Sequence, residues 1–296
     1  MLNEKSYQIG NMVITCISEL LLKQTTPAEL FPNWNSELLS DSLSWLPPGT
    51  MDETHQHVIL SVHSWLIRTP RHVILIDTGV GSNKNRPFTP AFHQLSLPYL
   101  DKLQALGVKP ENVDYVLMTH LHVDHVGWNT CLKEGNWVPT FPNARYVFSK
   151  TEYEYYNNPI NHIPRNKTSV IAQQDSIIPL IQAGLADMIA VDGSEWIDGL
   201  SFMPTAGHSI DHATISLSSC GQEALFIGDL LHHPLQVRYP NLNSIYDTFS
   251  EQAIASRLWV LEYASRRKPT IFCSHFPNSS VGTVTHDDQK FHWSYI

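Results

Sequence analysis

Cysteine is scarce in this sequence, and the spacing of the few present excludes two kinds of small stabilised domain. The four cysteines, Cys16, Cys131, Cys220 and Cys273, lie far apart in 296 residues and form no Cys-x-x-Cys pair. Such spacing supports neither a disulfide framework nor a zinc ribbon. We therefore expect reduced thiols.

Positive charge and long apolar runs are also lacking. Lys and Arg number 19 against 28 Asp and Glu, which gives a formal net charge of −9 at pH 7. This balance disfavours nucleic acid and anionic membranes as partners, so a small neutral or weakly charged substrate is expected. No apolar run approaches bilayer length, and residues 1–6 lack the apolar core of a signal peptide. The sequence thus predicts a cytoplasmic protein with no membrane association.

Linker-like composition is absent as well. No stretch resembles a Gly/Ser or charged linker, so residues 1–296 are expected to form a single domain. Residues 22–56 have little periodicity but carry several aromatic residues, among them Phe31, Trp34 and Trp45. An irregular loop of this length predicts a role. Three interpretations stay open: a cover over a substrate pocket, a contact in a homodimer, or ordinary packing against the domain.

Short apolar runs that end in a polar residue recur along the chain and predict buried strands. They are Val73–Ile76 before Asp77, residues 115–118 before His120, residues 224–227 before Asp229 and residues 270–273 before His275. Active sites of layered α/β folds lie at such strand ends. Helices are predicted from Ser250 to Arg267, with Ser250 as its cap, and from Ser149 onward, with Glu152 in a capping-box position.

The densest polar motif follows the second apolar run. It places three imidazoles and a carboxylate within six residues: His120, His122, Asp124 and His125. In an extended segment side chains two apart point the same way, so the first two histidines can bind one ion while Asp124 and His125 face a second. These donors suit zinc, manganese, iron or cobalt. A chance cluster is the alternative, and the strand context argues against it.

Later residues offer the same donor chemistry. His208 follows a Gly that lets the backbone turn tightly, Asp229 follows an apolar strand and Gly228, and His275 ends the last predicted strand. A carboxylate at position 229 could bridge two ions. Asp77, in Asp-Thr-Gly, is better placed to orient a ligand than to bind metal itself.

In this order, Asp-Thr-Gly, His-x-His-x-Asp-His, Gly-His, Gly-Asp and the strand-end His resemble the metallo-β-lactamase superfamily over residues 58–277. The resemblance implies an α/β fold, the four-layer αββα sandwich in which two sheets pack face to face with helices outside. It also implies two divalent metal ions, most commonly Zn²⁺, with manganese, iron or cobalt as alternatives. The family assignment gives His120, His122 and His208 to the first ion, Asp124, His125 and His275 to the second, and Asp229 to the bridge.

The branch of the superfamily is indicated by Asp229 lying three residues before His232, a layout similar to methyl parathion hydrolases and acyl-homoserine lactonases. The lactonases typically have Tyr where His232 stands, and a His there is similar to the organophosphate hydrolases. The resemblance implies hydrolysis of an ester, lactone or phosphotriester bond of a small molecule by a metal-bridging hydroxide.

Three residues are the expected catalytic residues. Asp229 would bridge the ions, Asp124 would carry a proton to the leaving group, and His232 would contact the substrate. Packing of His232 beside His233, without substrate contact, is the open alternative. His233 receives no role.

Two other functional classes are open. Sulfur dioxygenases of the superfamily keep His-x-His-x-Asp-His but use one iron bound by two His and one Asp, which would make this chain an oxidoreductase. All seven dinuclear positions are filled here, and this favours hydrolysis. A non-catalytic metal-binding protein is the other class, disfavoured because structural zinc sites are usually closed by four protein ligands.

Overall fold

The computed structural model describes residues 5–287 and 289–296. The chain falls into two compact units, each built from two stretches of sequence: unit 1 comprises Met1–Glu19 and Val62–Val191, and unit 2 comprises Leu20–Ser61 and Asp192–Ile296. The expectation that the amino terminus lacks a signal peptide falls mostly on residues 1–4, which lie outside the described residues. No helix in the described part of the chain has the length and apolarity needed to cross a bilayer.

The regular elements alternate along the chain as expected of an α/β protein. The strands are β1 Ser6–Ile9, β2 Met12–Thr25, β3 Val58–Arg68, β4 Val73–Ile76, β5 Tyr115–Leu117, β6 Thr130–Lys133, β7 Asn136–Pro139, β8 Arg145–Ser149, β9 Ala186–Ile189, β10 Glu195–Ile197, β11 Leu200–Pro204, β12 Ala213–Ser219, β13 Gln222–Phe226, β14 Thr270–Phe272, β15 Val281–His286 and β16 Phe291–Tyr295. The α-helices are α1 Pro27–Leu30, α2 Glu37–Ser42, α3 Tyr99–Ala105, α4 Lys150–Asn157, α5 Lys167–Ala172, α6 Ile178–Gln182, α7 Leu235–Arg238 and α8 Ser250–Arg267.

A seven-stranded sheet with the order β1-β2-β3-β4-β5-β8-β9 forms most of unit 1. Strands β4, β5, β8 and β9 pair in parallel, and β6 with β7 forms a separate hairpin. The apolar runs of β4 and β5 are buried, as expected of parallel strands covered on both faces. Both strands were predicted from these runs. Each leads into a polar segment that carries site residues.

A buried ion cluster lies in unit 1. Arg86 donates two hydrogen bonds to the carboxylate of Asp175, at 2.6 and 2.9 Å. The Lys84 ammonium lies 2.6 Å from Thr130 Oγ1 and 3.7 Å from the centre of the Trp137 ring. Asp175 belongs to a π-helical turn, Gln173–Ile177, so the cluster ties this turn to residues 84–86.

The second seven-stranded sheet, with the order β10-β11-β12-β13-β14-β15-β16, belongs to unit 2. Only β13 and β14 pair in parallel within it, and helix α8 is the long connection between them. Val260, Leu261 and Ala264 of α8 are buried in one cluster with Leu225 and Ile271 of the sheet. The helix therefore covers this sheet, as its apolar periodicity predicted.

Of the two predicted helix starts, that of α4 is confirmed and that of α8 is wrong. Phe249, without a capping side chain, precedes α8, so the prediction that Ser250 caps the helix is wrong. A backbone hydrogen bond fixes the start of the helix instead, since Phe249 N–H donates to Gly207 O at 2.8 Å. Ser149 does cap α4 by accepting the N–H of Glu152, as predicted. The Glu152 carboxylate accepts the N–H of Leu121, within the polar motif.

Residues 22–56 include the end of β2 and the short helices α1 and α2, so the segment is less irregular than predicted. Leu30 and Phe31 are buried in a cluster with Val58, and Trp34 and Trp45 pack against it. The structure therefore supports ordinary packing within unit 2 for these aromatic residues. The four cysteines are free thiols, as expected.

Candidate metal centre

In unit 1, the polar motif forms the turn that follows β5. His120 and His125 are buried, while His122 and Asp124 are partly exposed. The ring centres of His120 and His125 lie 4.1 Å apart, and those of His120 and His122 lie 4.5 Å apart. Three imidazoles of the predicted ligand set are thus brought together within this unit.

Asp77 fixes the first part of this turn. Its backbone is left-handed, with φ of 54°, and its Oδ1 accepts the N–H of Thr119 at 2.8 Å. Its Oδ2 lies 2.8 Å from His125 Nδ1 and 2.9 Å from Thr119 Oγ1. Since a carboxylate accepts, Nδ1 of His125 carries the proton and Nε2 has the lone pair that could bind a metal. Asp77 therefore fixes the orientation of the His125 ring, a residue that the sequence predicts to bind metal.

The same reasoning fixes the ring of His120. Thr119 Oγ1 donates its only proton to Asp77, so it accepts from Nδ1 of His120, 3.0 Å away. Nε2 of His120 then has the lone pair that could bind a metal. For His122 the order is reversed, because its Nε2 lies 2.9 Å from Tyr156 Oη, and Nδ1 is the nitrogen that could bind a metal.

Glu19, which the sequence reasoning missed, supports this turn from β2. Its buried carboxylate accepts the indole N–H of Trp128 and the N–H groups of Val80 and Gly81, at 2.6, 2.6 and 3.1 Å. Burial raises the pKa of Glu19 to about 7, although these hydrogen bonds oppose the rise. An acid among the alternating apolar residues of β2 was the only sequence signal.

Close backbone contact also shapes the turn. A Cβ on Gly127 would lie 2.0 Å from the carbonyl carbon of Val80, and Gly127 N–H donates to Gly79 O at 2.7 Å. Only glycine fits at position 127 without movement of the backbone. The motif thus ends in a glycine for a steric reason.

In unit 2, a single carboxylate faces three imidazoles. Asp229 Oδ2 lies 3.2 Å from His208 Nε2 and 3.4 Å from His232 Nε2, and Oδ1 lies 3.0 Å from His275 Nε2. All four side chains are buried. The ligand atoms of Asp229, His232 and His275 lie within 4.8 Å of one another, a spacing that a metal ion could occupy.

His208 is held from its other side by Asp247, which the sequence reasoning also missed. Its Nδ1 lies 3.1 Å from Asp247 Oδ1, and Asp247 Oδ2 accepts from the Arg257 guanidinium at 2.9 Å. Burial alone would raise the pKa of Asp247, but His208 and Arg257 hold it well below its usual range. Burial lowers the pKa of His208, yet the Asp229 and Asp247 carboxylates outweigh it and bring it to about 9.

His275 and Asp229 each have a further partner in unit 2. His275 Nδ1 donates to Ser61 O at 2.8 Å, so Nε2 has the lone pair that could bind a metal. The backbone N–H of Asp229 donates to His212 Nε2 at 3.0 Å. Nδ1 of His212 then carries the proton and bonds Thr205 Oγ1 at 3.0 Å. His212, absent from the predicted site, is thereby a neutral support for Asp229.

The structure separates the roles of the two adjacent histidines. The His232 ring stacks on His275 with centres 5.4 Å apart and planes inclined by 5°, and burial keeps the pKa of His232 below its ordinary value. The His233 ring turns away and bonds Thr50 O at 2.9 Å, and burial lowers its pKa to about 4. His232 therefore belongs to the Asp229 cluster, whereas His233 holds the backbone at Thr50 through its hydrogen bond.

A sequence model of the metallo-beta-lactamase superfamily matches residues 58–275. Because that match covers well over half of the chain, the protein belongs to the metallo-β-lactamase superfamily. The crystal structure of hydrolase AbOPH, in the beta lactamase superfamily, is similar with a TM-score of 0.81 and 27% identity, over 99% of this chain and 97% of that one. AidC, a dizinc quorum-quenching lactonase in complex with a product, shares the fold with a TM-score of 0.82, 21% identity and the same coverages. The predicted α/β fold class of the metallo-β-lactamase type is confirmed.

Curated relatives are lactonases. N-acyl homoserine lactonase AttM of Agrobacterium fabrum is 38% identical over 60 residues, and this chain spans only 19% of its length. N-acyl homoserine lactonase of Bacillus cereus is 23% identical over 244 residues, which cover 78% of this chain and 85% of that protein. The relatives and the structural neighbours are thus hydrolases with lactonases among them.

Proposed function

We propose that this protein is a dinuclear metal-dependent hydrolase that cleaves an ester, lactone or phosphotriester bond of a small molecule. The observation that supports the proposal most directly is Asp229, a buried carboxylate within 3.4 Å of three imidazole nitrogens. Buried charges in proteins are paired or bind metal ions, so a buried carboxylate surrounded by imidazole nitrogens favours a cation. Imidazole and carboxylate donors with open approach are the set that catalytic zinc and its relatives use.

The proposed ligand assignment follows the resemblance to the family. His120, His122 and His208 would bind one ion, Asp124, His125 and His275 the other, and Asp229 both. Divalent ions at these residues would lower the pKa of a water and polarise the oxygen of the scissile bond. Zn²⁺ is the expected metal, and manganese, iron or cobalt fit the same donors.

Proton transfer is the task proposed for Asp124. Hydrolysis forms a bond between the water oxygen and the carbonyl carbon or phosphorus, and it breaks the bond to the leaving oxygen. The proton released by the water passes to Asp124, which is partly exposed and 3.9 Å from His125 Nε2, and then to the leaving oxygen. A partly exposed carboxylate can exchange that proton with substrate, whereas buried Asp229 cannot.

Substrate contact is the task proposed for His232. Its Nδ1 is buried without a hydrogen-bond partner, and its low pKa keeps the ring neutral near pH 7. A neutral imidazole can donate to a leaving oxygen or accept from it. Changing His232 to Phe keeps the stacking on His275 and removes this contact, so a fall in kcat with unchanged metal content would support the role.

The central experiment compares Asp229→Asn with the native protein and with Asp101→Asn, a control that changes an exposed aspartate on α3. Native protein and control should each carry about two divalent ions per chain and hydrolyse members of an ester, lactone and phosphotriester panel. Asp229→Asn should lose metal and lower kcat/KM by more than about 100-fold. Undiminished turnover by folded Asp229→Asn would contradict the proposal.

The same measurements test the other classes. One iron per chain, with oxygen consumption in the presence of a persulfide, would instead indicate a sulfur dioxygenase. Full metal loading without turnover of any panel member would indicate a non-catalytic metal protein.

A further inference from the structure

His232 lies among the donors of unit 2 but is not one of the ligand positions that the family resemblance gives. Its Nε2 is 3.4 Å from Asp229 Oδ2, and the ligand atoms of Asp229, His232 and His275 lie within 4.8 Å of one another. We call these three residues the unit 2 triad, since all of them belong to that unit. Their chemistry can therefore be judged without reference to unit 1.

The ring of His232 is buried without a hydrogen bond. The side chain is 2% exposed, and neither Nδ1 nor Nε2 has a hydrogen-bond partner among the described residues. Buried polar atoms in proteins nearly always have a partner, so the position of this ring requires an explanation. A metal ion is a partner that the lone pair of a neutral imidazole binds well.

Two acceptor atoms lie close together in the triad. Nδ1 of His275 carries the ring proton, because it donates to Ser61 O at 2.8 Å. The unprotonated Nε2 of the same ring is 3.0 Å from Asp229 Oδ1. Two lone-pair atoms at this distance repel each other, and a second proton on the ring or a metal ion removes that repulsion.

The spacing of the triad is close to that of donors bound to one ion. Zinc binds imidazole and carboxylate donors at about 2.0–2.2 Å, so two donors of a tetrahedral site lie about 3.3 Å apart. The distances from Asp229 to His275 and His232 are 3.0 and 3.4 Å. His232 is held there from two sides, because its N–H donates to the buried Gln236 side chain at 2.6 Å and its ring stacks on His275.

A second group in unit 2 has similar spacing but a less favourable charge balance. Ligand atoms of His208, His232 and Asp247 also lie within 4.8 Å of one another. Asp247, however, accepts from the buried Arg257 guanidinium at 2.9 Å. A metal ion at that group competes with a buried positive charge, so the triad that contains Asp229 is the favoured site.

We propose that Asp229, His232 and His275 form a one-ion site within unit 2, in which His232 is an additional metal ligand when the chain holds a single divalent ion. Two imidazoles and one carboxylate suit zinc, iron or cobalt. When two ions are bound, the family ligands are sufficient and His232 is left for the substrate. The proposal goes beyond the hydrolase function and does not depend on turnover. Its consequence is that the protein retains one ion when metal is scarce.

The test titrates the metal-free full chain with Co²⁺, whose visible absorption depends on the number and kind of its donors. One ion per chain should still bind to a variant that lacks the donors of the polar motif, with the changes His120→Ala, His122→Ala, Asp124→Ala and His125→Ala. Adding His232→Phe to this variant keeps an aromatic ring against His275. It should weaken binding of the ion by at least about 10-fold and change its absorption spectrum.

His286→Phe in the same background is the matched control. The His286 ring also stacks on a neighbour, Phe291, with ring centres 4.3 Å apart, but it is not part of the triad. This control should leave both the affinity and the spectrum unchanged. An equal loss of affinity in the control would overturn the inference.

A second measurement serves if the motif variant does not fold. The native protein and the single variant His232→Phe, each given about half an equivalent of Co²⁺, should differ in their spectra. Failure of the motif variant to bind any ion, or an affinity that His232→Phe leaves unchanged, overturns the inference. A loss of affinity without a change in spectrum also overturns it, because His232 would then be an outer partner and not a ligand. Absence of hydrolysis bears on the proposed function alone, since neither measurement uses turnover.

Discussion

One oxygen of Asp77 serves two imidazoles: Oδ2 lies 2.8 Å from His125 Nδ1 and accepts the hydroxyl proton of Thr119, which in turn accepts from His120. Asp77 itself takes a left-handed backbone conformation to make these bonds. A single carboxylate at the end of β4 thus sets the orientation of two rings in the following turn.

We expect Asp77→Asn to weaken metal binding more than folding. An amide presents only one acceptor oxygen, so it cannot accept from the Thr119 N–H as well as from His125 and the Thr119 hydroxyl. Loss of such an outer partner typically costs about 10- to 100-fold in metal affinity. Competition with a chromophoric chelator measures this. Asp114→Asn is the control, because Asp114 precedes β5 and accepts the N–H of Val73 at the start of β4, whereas the motif follows the other end of β5. An equal loss of affinity in this control would refute the assignment.

Asp247→Asn should destabilise unit 2 strongly. The variant leaves the buried Arg257 guanidinium without its negative partner, which typically costs about 3–5 kcal/mol. The folded pKa of Asp247 is depressed, so its stabilisation is present above the unfolded pKa and is lost as the pH falls through the acid range. Urea unfolding at pH 7 and pH 3 measures the free energy of unfolding of the native protein and the variant. The difference between the two proteins should be smaller at pH 3 than at pH 7. A difference that is small at pH 7, or that grows in acid, contradicts this reading.

Glu19 should make the native protein less stable as the pH rises, the opposite of the effect of Asp247, and Glu19→Gln should remove this dependence. Burial raises the pKa of Glu19 from 4.5 to about 7, so the native fold binds a proton that the unfolded chain releases. Its stability should therefore fall by on the order of 3 kcal/mol between pH 4.5 and pH 7 relative to the variant. Unfolding curves of metal-free protein across this range provide the measurement. Parallel curves for the two proteins would show that Glu19 does not titrate in this window.

Asp175→Asn should also destabilise by about 3–5 kcal/mol, because two buried cations, Lys84 and Arg86, share this one carboxylate. The exposed pair of Lys150 and Glu154 on α4 offers the matched control, since both side chains are more than 60% exposed. Glu154→Gln should cost less than about 1 kcal/mol. Chemical denaturation of both variants measures the loss in free energy of unfolding. Comparable losses in the two variants would mean that burial does not decide how much an ion pair stabilises this protein.

The ligand motif was accessible from sequence because its residues are adjacent and their donor chemistry is distinctive. The residues that support the ligand residues could not be predicted from the sequence. Asp247 and His212 are ordinary residue types, and only tertiary contact brings them to His208 and Asp229. Glu19 shows the same limit, since nothing in β2 foretells that its carboxylate reaches Trp128.

Secondary structure followed the apolar patterns closely in β4, β5 and α8. The prediction that Ser250 caps α8 was wrong, because backbone hydrogen bonds to Gly207 and His208 fix the residues that precede the helix. Capping rules consider only local side chains and do not include such tertiary bonds. The segment before Val58 was ambiguous in sequence because aromatic residues serve packing and binding equally well. Burial of Phe31 decides for packing at that position.

Each of the five imidazoles that we propose as ligands of the two ions has a partner on its other nitrogen. The rotamer entropy of these rings is therefore lost when the chain folds and not when an ion arrives. Uptake of a metal would then need little reorientation of these rings, and ions of similar size should exchange without turning them. Within a cell, the supply of each ion would then decide which one such oriented donors bind, more than the protein does.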